Sequence, residues 1–480
     1  MARALDIETA IPLVVDLDGT LTVTDTLHES FAKLLFQDPA AAIASLFRVA
    51  SGPAAFKRFI AQRCRPNAAT LPYRAPLVDL LREEKESGRQ IHLVTAADQN
   101  IADATAAELG VFDSASGSDG QRNLKGEAKL AYVCGRFAHG FIYVGDGAAD
   151  IPLFRAARGV ILCDVTAATA AAVTESGTPV LARFDRPGWA RKDWLQAFRM
   201  HQWAKNLLIF VPLFVGHAYA DPAKIAAVAL GFILLCVLSS GTYIINDLAD
   251  LDPDRAHATK RLRPFASGDL KIVHGLIAAP LMITGALIGA YLLSPRLAAA
   301  LFAYLVVTSA YSFGLKRTPL LDVFVIGVLF TLRIVMGAEV ADLSHSPWLL
   351  SFAFAFFLSL ALAKRHGEVM RAARIEVEEI IGRGYRGSDW PVTLTFGIGI
   401  GLMSVVIMLL YMTNDATPSG FYRSPGWLYA IPALLTIWLM RIWLLSNRML
   451  LNDDPVVFAL RDRVSLMLGL AVVCLFVLAI

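Results

Sequence analysis

Two side-chain clusters in this sequence have the types and spacing for chemistry on phosphate esters. In the first, Val14-Val15-Asp16-Leu17-Asp18-Gly19-Thr20 sets two carboxylates where an apolar strand runs out. Side chains two apart on a strand share a face, and Gly19 permits a sharp exit. Such a pair suits Mg²⁺ binding while one carboxylate attacks phosphorus and becomes an aspartyl-phosphate. A second strand ends in Leu93-Val94-Thr95, whose hydroxyl suits a phosphoryl oxygen. Lys125 and Lys129 lie on the helical stretch that follows and would neutralise the phosphate. A third strand ends in Gly145-Asp146-Gly147-Ala148-Ala149-Asp150, with Asp146 and Asp150 as further metal carboxylates. All three lie at the carboxyl ends of strands, where open α/β sheets bind ligands.

The second cluster is Asn246, Asp247, Asp250 and Asp254. In a helix continuing from the preceding apolar stretch, these residues share one face. Acids so aligned repel unless a cation lies among them, which points to a Mg²⁺–diphosphate site. Arg255, His257, Lys260, Arg261 and Arg263 follow at once. Carboxylates followed by bases suit a metal-bound polyanion. A solvated loop would explain the bases but not the spacing of the acids.

These clusters need two kinds of scaffold. Of 480 residues, 56% are hydrophobic and 18% charged, against roughly 25% charged in soluble domains. That balance argues against a wholly soluble enzyme and against a disordered scaffold. A net charge of +3 is too small to point to nucleic acid, and none is expected as a partner. The five cysteines are scattered and form neither a disulfide frame nor a zinc site. Residues 1–185 alternate short apolar runs (11–15, 91–94, 141–144) with alanine-rich helical stretches, so a parallel, Rossmann-like α/β sheet is expected. Residues 186–194 read as a linker. From 195 to 480 an all-α bundle of nine spans is expected, near 203–219, 224–245, 272–293, 297–314, 320–340, 347–363, 391–412, 426–445 and 464–480. The first and sixth are the weakest by length. Connections after the even-numbered spans carry sixteen Lys and Arg, and the opposite ones carry three. This asymmetry puts the even connections and the N-terminal domain in the cytoplasm, with Ile480 on the outer side. The first ten residues lack the features of a signal peptide.

The four motifs built on Asp16, Thr95, the lysines and Asp146 resemble the haloacid dehalogenase superfamily over most of residues 10–165. The resemblance implies Asp16 as nucleophile, Asp18 as acid/base and Thr95 as phosphate ligand. It further implies Lys129 or Lys125 as the motif lysine, Mg²⁺ held by these carboxylates, and a helical cap near 27–88. A degenerate, non-catalytic relative is the alternative. The run N-D-x-x-D-x-x-x-D before nine apolar stretches resembles the UbiA-type intramembrane prenyltransferase superfamily over 195–480. The second aspartate-rich motif of the aromatic-acceptor enzymes is missing. The connection after the sixth span reads Ala363-Lys364-Arg365-His366-Gly367-Glu368, and that after the fourth reads Tyr311-Ser312-Phe313-Gly314-Leu315-Lys316. With Asp254–Pro264 and Gln202-Trp203-Ala204-Lys205-Asn206, these look like the decaprenyl-phosphate phosphoribosyltransferase branch, apart from Ala258 where proline is expected. The resemblance implies a bacterial inner-membrane enzyme moving ribose 5-phosphate from phosphoribosyl diphosphate to a polyprenyl phosphate. Asp247, Asp250 and Asp254, helped by Asn246, would hold Mg²⁺, and Tyr311 and Lys316 would contact the donor. Lys205, Arg263, Lys364 and Arg365 would meet phosphates, and Arg255, Lys260 and Arg261 are further candidates. Arg333 within a span reads as a lipid-phosphate ligand or a structural ion. Asn452-Asp453-Asp454-Pro455-Val456 resembles the end of the same branch. Two other functions compete: an aromatic-acceptor prenyltransferase using prenyl diphosphate, and a lipid transporter or scaffold with a regulatory domain. Neither lipid chain length nor oligomeric state follows from the residues.

Overall fold

The computed structural model describes residues 7–186, 188, 191–375, 380, 382–451 and 455–480. It divides into two compact units, Met1–Phe198 with Tyr243–Ala279, and Arg199–Thr242 with Pro280–Ile480. The N-terminal region is a six-stranded parallel sheet of order β3-β2-β1-β4-β5-β6. Its strands are β1 (Leu13–Val15), β2 (Ile91–Asp98), β3 (Ser114–Ser118), β4 (Ile142–Gly145), β5 (Gly159–Cys163) and β6 (Val180–Phe184). β1 is central and wholly buried, as a strand covered on both faces must be. Three helices, α1 (Thr26–Gln37), α2 (Pro39–Arg48) and α3 (Pro53–Arg63), form a small core of their own around Leu34, Ala42, Ile60 and Cys64. α4 (Ala75–Glu86) and α5 (Gln99–Leu109) cover one sheet face, where Leu13 and Val15 meet Leu77, Leu81 and Ile101. Of the stretch 27–88 expected as a cap, α4 buries its apolar face in the sheet core, and α1 to α3 pack on one another. α6 (Glu127–Arg136), α7 (Ile151–Ala156) and α8 (Ala167–Glu175) cover the other face, where Val14 meets Val133, Phe154 and Val173. The short α9 (Arg191–Ala197) follows.

Beyond it the chain is helical. The stretch expected at 203–219 is a 3₁₀ run, Met200–Phe210, followed by α10 (Val211–Val215). Pro212 lacks the N–H that a continuous α-helix through this point would use. Ile209 also lies so close to Gly337 that a Cβ there would come within 1.9 Å of its carbonyl oxygen. The remaining helices are α11 (Pro222–Ala249), α12 (Leu251–Ala256), α13 (Pro264–Ser267), α14 (Ile272–Leu293), α15 (Pro295–Phe313) and α16 (Leu321–Val340), then α17 (Pro347–Arg374), α18 (Trp390–Tyr411), α19 (Ile431–Asn447), α20 (Pro455–Ala459) and α21 (Arg463–Ala479). Among the described residues seven helical segments are long and apolar enough to cross a membrane: α11, α14 to α17, Gly387–Ala416 and Pro425–Asn447. Two of the nine expected stretches fall short, the broken 203–219 and the 17-residue α21. The sixth is longer than expected, because the helix continues past its first charge to Arg374.

Candidate active sites

Asp16 follows β1 directly, and its N–H donates to the Val144 carbonyl (3.0 Å), tying it to the strand that leads to Asp146 and Asp150. One carboxylate oxygen each from Asp16, Asp146 and Asp150 lies within 4.8 Å of the others. Among the described residues this is the one such group of potential metal ligands. An all-oxygen set fits a hard cation such as Mg²⁺. Lys129, on α6 and 1% exposed, brings its Nζ to 2.8 Å from Asp16 Oδ2 and 3.8 Å from Asp150 Oδ1. It donates to the Tyr143 hydroxyl (2.7 Å), which donates to Asp150 Oδ1 (2.9 Å). Lys125 lies before α6, exposed, beside a smaller cavity shared with Asp18 and Lys57.

Asp18 is not part of the three-carboxylate group. Its Oδ1 accepts from the Thr26 N–H at the start of α1 (2.8 Å). Burial, then the neighbouring Asp25, push its pKa up to about 8, with Asp16 adding to the effect. It therefore carries a proton at neutral pH, as a general acid requires. Asp146 is raised to about 7 by burial and by Asp16 and Asp150, and a cation among these groups reverses that push. Thr95 is fully buried inside β2, where the register with β3 shifts, and its hydroxyl oxygen accepts from the Ala97 N–H (3.0 Å). Three residues without an assigned role in the sequence motifs also belong here. Thr20 donates to Asp146 Oδ1 (3.4 Å), Tyr143 links Lys129 to Asp150, and Lys57 donates to the Ala96 carbonyl (2.7 Å). Only Thr20 had a signal, by adjoining D-x-D-G.

The aspartate-rich motif does not form one continuous helical face. α11 ends at Ala249, and Asp250 separates it from α12. The break turns Asp247 Oδ1 and Asp254 Oδ2 onto the same nitrogen of Arg263, at 3.0 and 2.6 Å. Both acids are almost fully buried. Burial raises the Asp254 pKa, and Arg263 opposes it. Two carboxylates aimed at one point fit a cation, and here the guanidinium takes that position. Asn246 is half-buried near the end of α11, and Asp250 follows that helix. Arg255 makes a buried two-pronged pair with Glu29 of α1 (2.9 and 2.7 Å), and its Nε donates to the Ala266 carbonyl (2.9 Å). Lys260 and Arg261 are exposed on a 3₁₀ turn.

Residues 209–478, more than half of the chain, match the UbiA prenyltransferase family. The chain belongs to that family. Residues 13–155 match the haloacid dehalogenase-like hydrolases. The uncharacterized protein y4nM of Sinorhizobium fredii is 45% identical over 98% of this chain and 91% of its own length. The decaprenyl-phosphate phosphoribosyltransferase of Mycolicibacterium smegmatis is 31% identical over 58% of this chain and 89% of its own. A UbiA homologue from Archaeoglobus fulgidus, solved with DMAPP and Mg²⁺, is similar over 60% of this chain and 97% of its own, at 14% identity and a TM-score of 0.46.

Within the second unit of this UbiA-family chain, the in-span charges are paired. Arg333 donates to Asn206 Oδ1 (3.0 Å), the Tyr304 hydroxyl (2.9 Å) and the Leu329 carbonyl (2.5 Å). Lys205 lies 6.0 Å above the Phe330 ring. Arg365 pairs with Glu368 and with Asp322 (2.7 Å), and Asp322 also accepts from the Tyr385 hydroxyl (2.7 Å). Asp322, absent from the sequence motifs above, is an acid in the first turn of an apolar helix, which is itself a signal of a paired or functional charge. The Tyr311 hydroxyl accepts from Arg383 (3.0 Å). Lys316 is half-buried on the Leu315–Arg317 turn, and Lys364 is half-buried beside Arg365 on α17. Asn452, Asp453 and Asp454 lie outside the described residues.

Proposed function

We propose that the chain is a bifunctional membrane enzyme. The UbiA-family domain transfers phosphoribose from phosphoribosyl diphosphate to a polyprenyl phosphate, and the N-terminal domain then removes the 5-phosphate. The observation that carries the reading is that the acid cluster around Asp16 and the Asp247–Asp254 connection share one compact unit, clasped by Arg255 and Glu29. Relatives named decaprenyl-phosphate phosphoribosyltransferase support the donor and acceptor assignment.

In the transfer step an oxygen of the lipid phosphate bonds to the anomeric carbon as the bond to diphosphate breaks. The acceptor is already anionic, so no strong base is required. Asp247, Asp250 and Asp254, with Asn246, would hold Mg²⁺, which neutralises charge on the departing diphosphate. Arg263 must then leave the two acids and is free to meet a phosphate. Tyr311, Lys316, Lys205, Lys364 and Arg365 remain donor or lipid-phosphate candidates through the family resemblance. Lys260 and Arg261 are exposed candidates for the same polyanion. Arg333 suits a positioning role, because its donors hold Asn206 and Tyr304.

In the hydrolytic step Asp16 attacks phosphorus, and the bond to the ribose 5-oxygen breaks as Asp18 protonates that oxygen. Water, giving a proton to Asp18, then cleaves the aspartyl-phosphate and releases phosphate. Asp16, Asp146 and Asp150 would hold a Mg²⁺ that offsets charge on the phosphoryl oxygens, and Lys129 holds Asp16 in place. Thr95 is the phosphate-side hydroxyl. In this reading both sites face the cytoplasm, which the bias of Lys and Arg toward the even connections supports, and the shorter 203–219 and 464–480 stretches also cross to make nine passes. The test is transfer of label from phosphoribosyl diphosphate into a lipid fraction. Loss of labelled lipid in Asp247→Ala and Asp254→Ala, with the protein still inserted, is expected. Wild-type transfer in either variant refutes the site.

A further inference from the structure

A cavity of about 480 Å³ opens onto the phosphatase residues Asp18, Gly19 and Asp146. Its other wall belongs to the connection that follows the aspartate-rich motif, through Gly268, Asp269, Lys271 and Ile272. This segment is built against the phosphatase. Gly268 has φ +80, and a Cβ there would lie 2.5 Å from Val23 Cγ2 and 3.0 Å from Thr24 Cγ2. The Val23–Asp25 turn leads directly from the Asp18 loop into α1. On the other side of that turn Thr24 donates to Glu29 Oε1 (2.5 Å), and Glu29 holds Arg255. Asp252 in the same connection accepts from Lys33 of α1 (2.9 Å) and from Thr70 (3.1 Å).

We propose that this connection is the substrate-selecting wall of the phosphatase, and that Lys271 binds a second anionic group of the substrate. The inference rests on the bifunctional reading and deepens it. Of the three permanent cations lining the cavity, Arg183 is paired with Asp185, and Arg186 with Asp164. Lys271 is exposed, and among the described residues it has no ion-pair partner. The cavity also holds Asp25, Asp164, Asp185 and Asp269, which repel a chain of phosphates and leave the ground beside Lys271 as the place in its wall for a single anionic group. Ile272, lining the same wall, is the first residue of the candidate span α14. The cavity meets the phosphatase at Asp18 and Asp146, and a phosphomonoester entering there with a phosphodiester beside Lys271, at the point where a span begins, is the chemistry of a sugar phosphate linked to a lipid. A small soluble phosphomonoester reaches Asp16 without using Lys271.

The experiment compares full-length protein variants on two substrates in the presence of Mg²⁺. One is p-nitrophenyl phosphate, and the other is a synthetic prenyl-phosphoryl ribose 5-phosphate in phosphatidylcholine vesicles. Lys271→Glu is expected to lower kcat/KM for the lipid substrate about ten-fold or more, mainly through KM, as loss of one charge-assisted hydrogen bond implies. It should leave p-nitrophenyl phosphate hydrolysis within two-fold, and Lys271→Arg should restore the lipid rate. Equal losses on both substrates, or an unchanged lipid KM, overturn the proposal while leaving the phosphatase reading intact. No hydrolysis of either substrate by the wild-type chain overturns both.

Discussion

Lys129→Met is the substitution with the best-defined consequence. Its ammonium lies 2.8 Å from Asp16 and 3.8 Å from Asp150, in a place that is 1% exposed. Two unit charges 2.8 Å apart attract by about 6 kcal/mol at an effective dielectric constant near 20. Part of that is returned by relief of desolvation, and breaking a buried pair costs about 3–5 kcal/mol. What remains is three carboxylates within 4.8 Å of one another with less positive charge to balance them. If that cost falls on the step in which Asp16 attacks an anionic phosphate, the rate drops by roughly two to four powers of ten. The assay is the initial rate of p-nitrophenyl phosphate hydrolysis by the detergent-solubilised full chain with Mg²⁺. Lys129→Arg should recover part of the loss. Lys125→Met removes an exposed charge and should cost less than about ten-fold. The reasoning fails if Lys125→Met is as damaging as Lys129→Met, or if Lys129→Met stays within three-fold of wild type.

Asp18 must carry a proton to protonate a departing alkoxide, and burial with Asp25 raises its pKa to about 8, a point that a cation beside Asp16 moves lower. The kcat/KM for ribose 5-phosphate should therefore fall with rising pH above that point, by about ten-fold per unit; a rate still climbing at higher pH contradicts the role. Orientation is tested with Cys134 and Cys474, both exposed, replaced by serine. In that background Asp342→Cys should react with an impermeant thiol reagent only from outside and Arg386→Cys only from the cytoplasmic side. The opposite pattern overturns the assignment.

The strand ends that carry the candidate site were legible because apolar runs buried on both faces show up without periodicity. β1, β2 and β4 coincide with the runs at 11–15, 91–94 and 141–144. β3 did not show, since Ser114-Ala115-Ser116-Gly117-Ser118 is small and polar and lies at the sheet edge. The choice between Lys125 and Lys129 depended on where α6 begins, a boundary no local signal marks. The aspartates at 247 and 254 were found by spacing, but the break at Asp250 that turns both onto Arg263 is a tertiary feature. The Arg365–Asp322 pair was hidden by distance along the chain, since neither residue has the other as a helical neighbour. Pro212, which lacks an N–H, is a local signal in the sequence against a continuous first span.

The central claim is that one chain makes and then dephosphorylates a phosphoribosylated lipid. Its most direct test is the lipid formed from labelled phosphoribosyl diphosphate by the Asp16→Asn variant, reconstituted with polyprenyl phosphate in membranes free of other phosphatases. Accumulation of the 5-phosphorylated lipid at the wild-type rate of transfer is the predicted result. Delivery of fully dephosphorylated lipid by that variant would contradict the account.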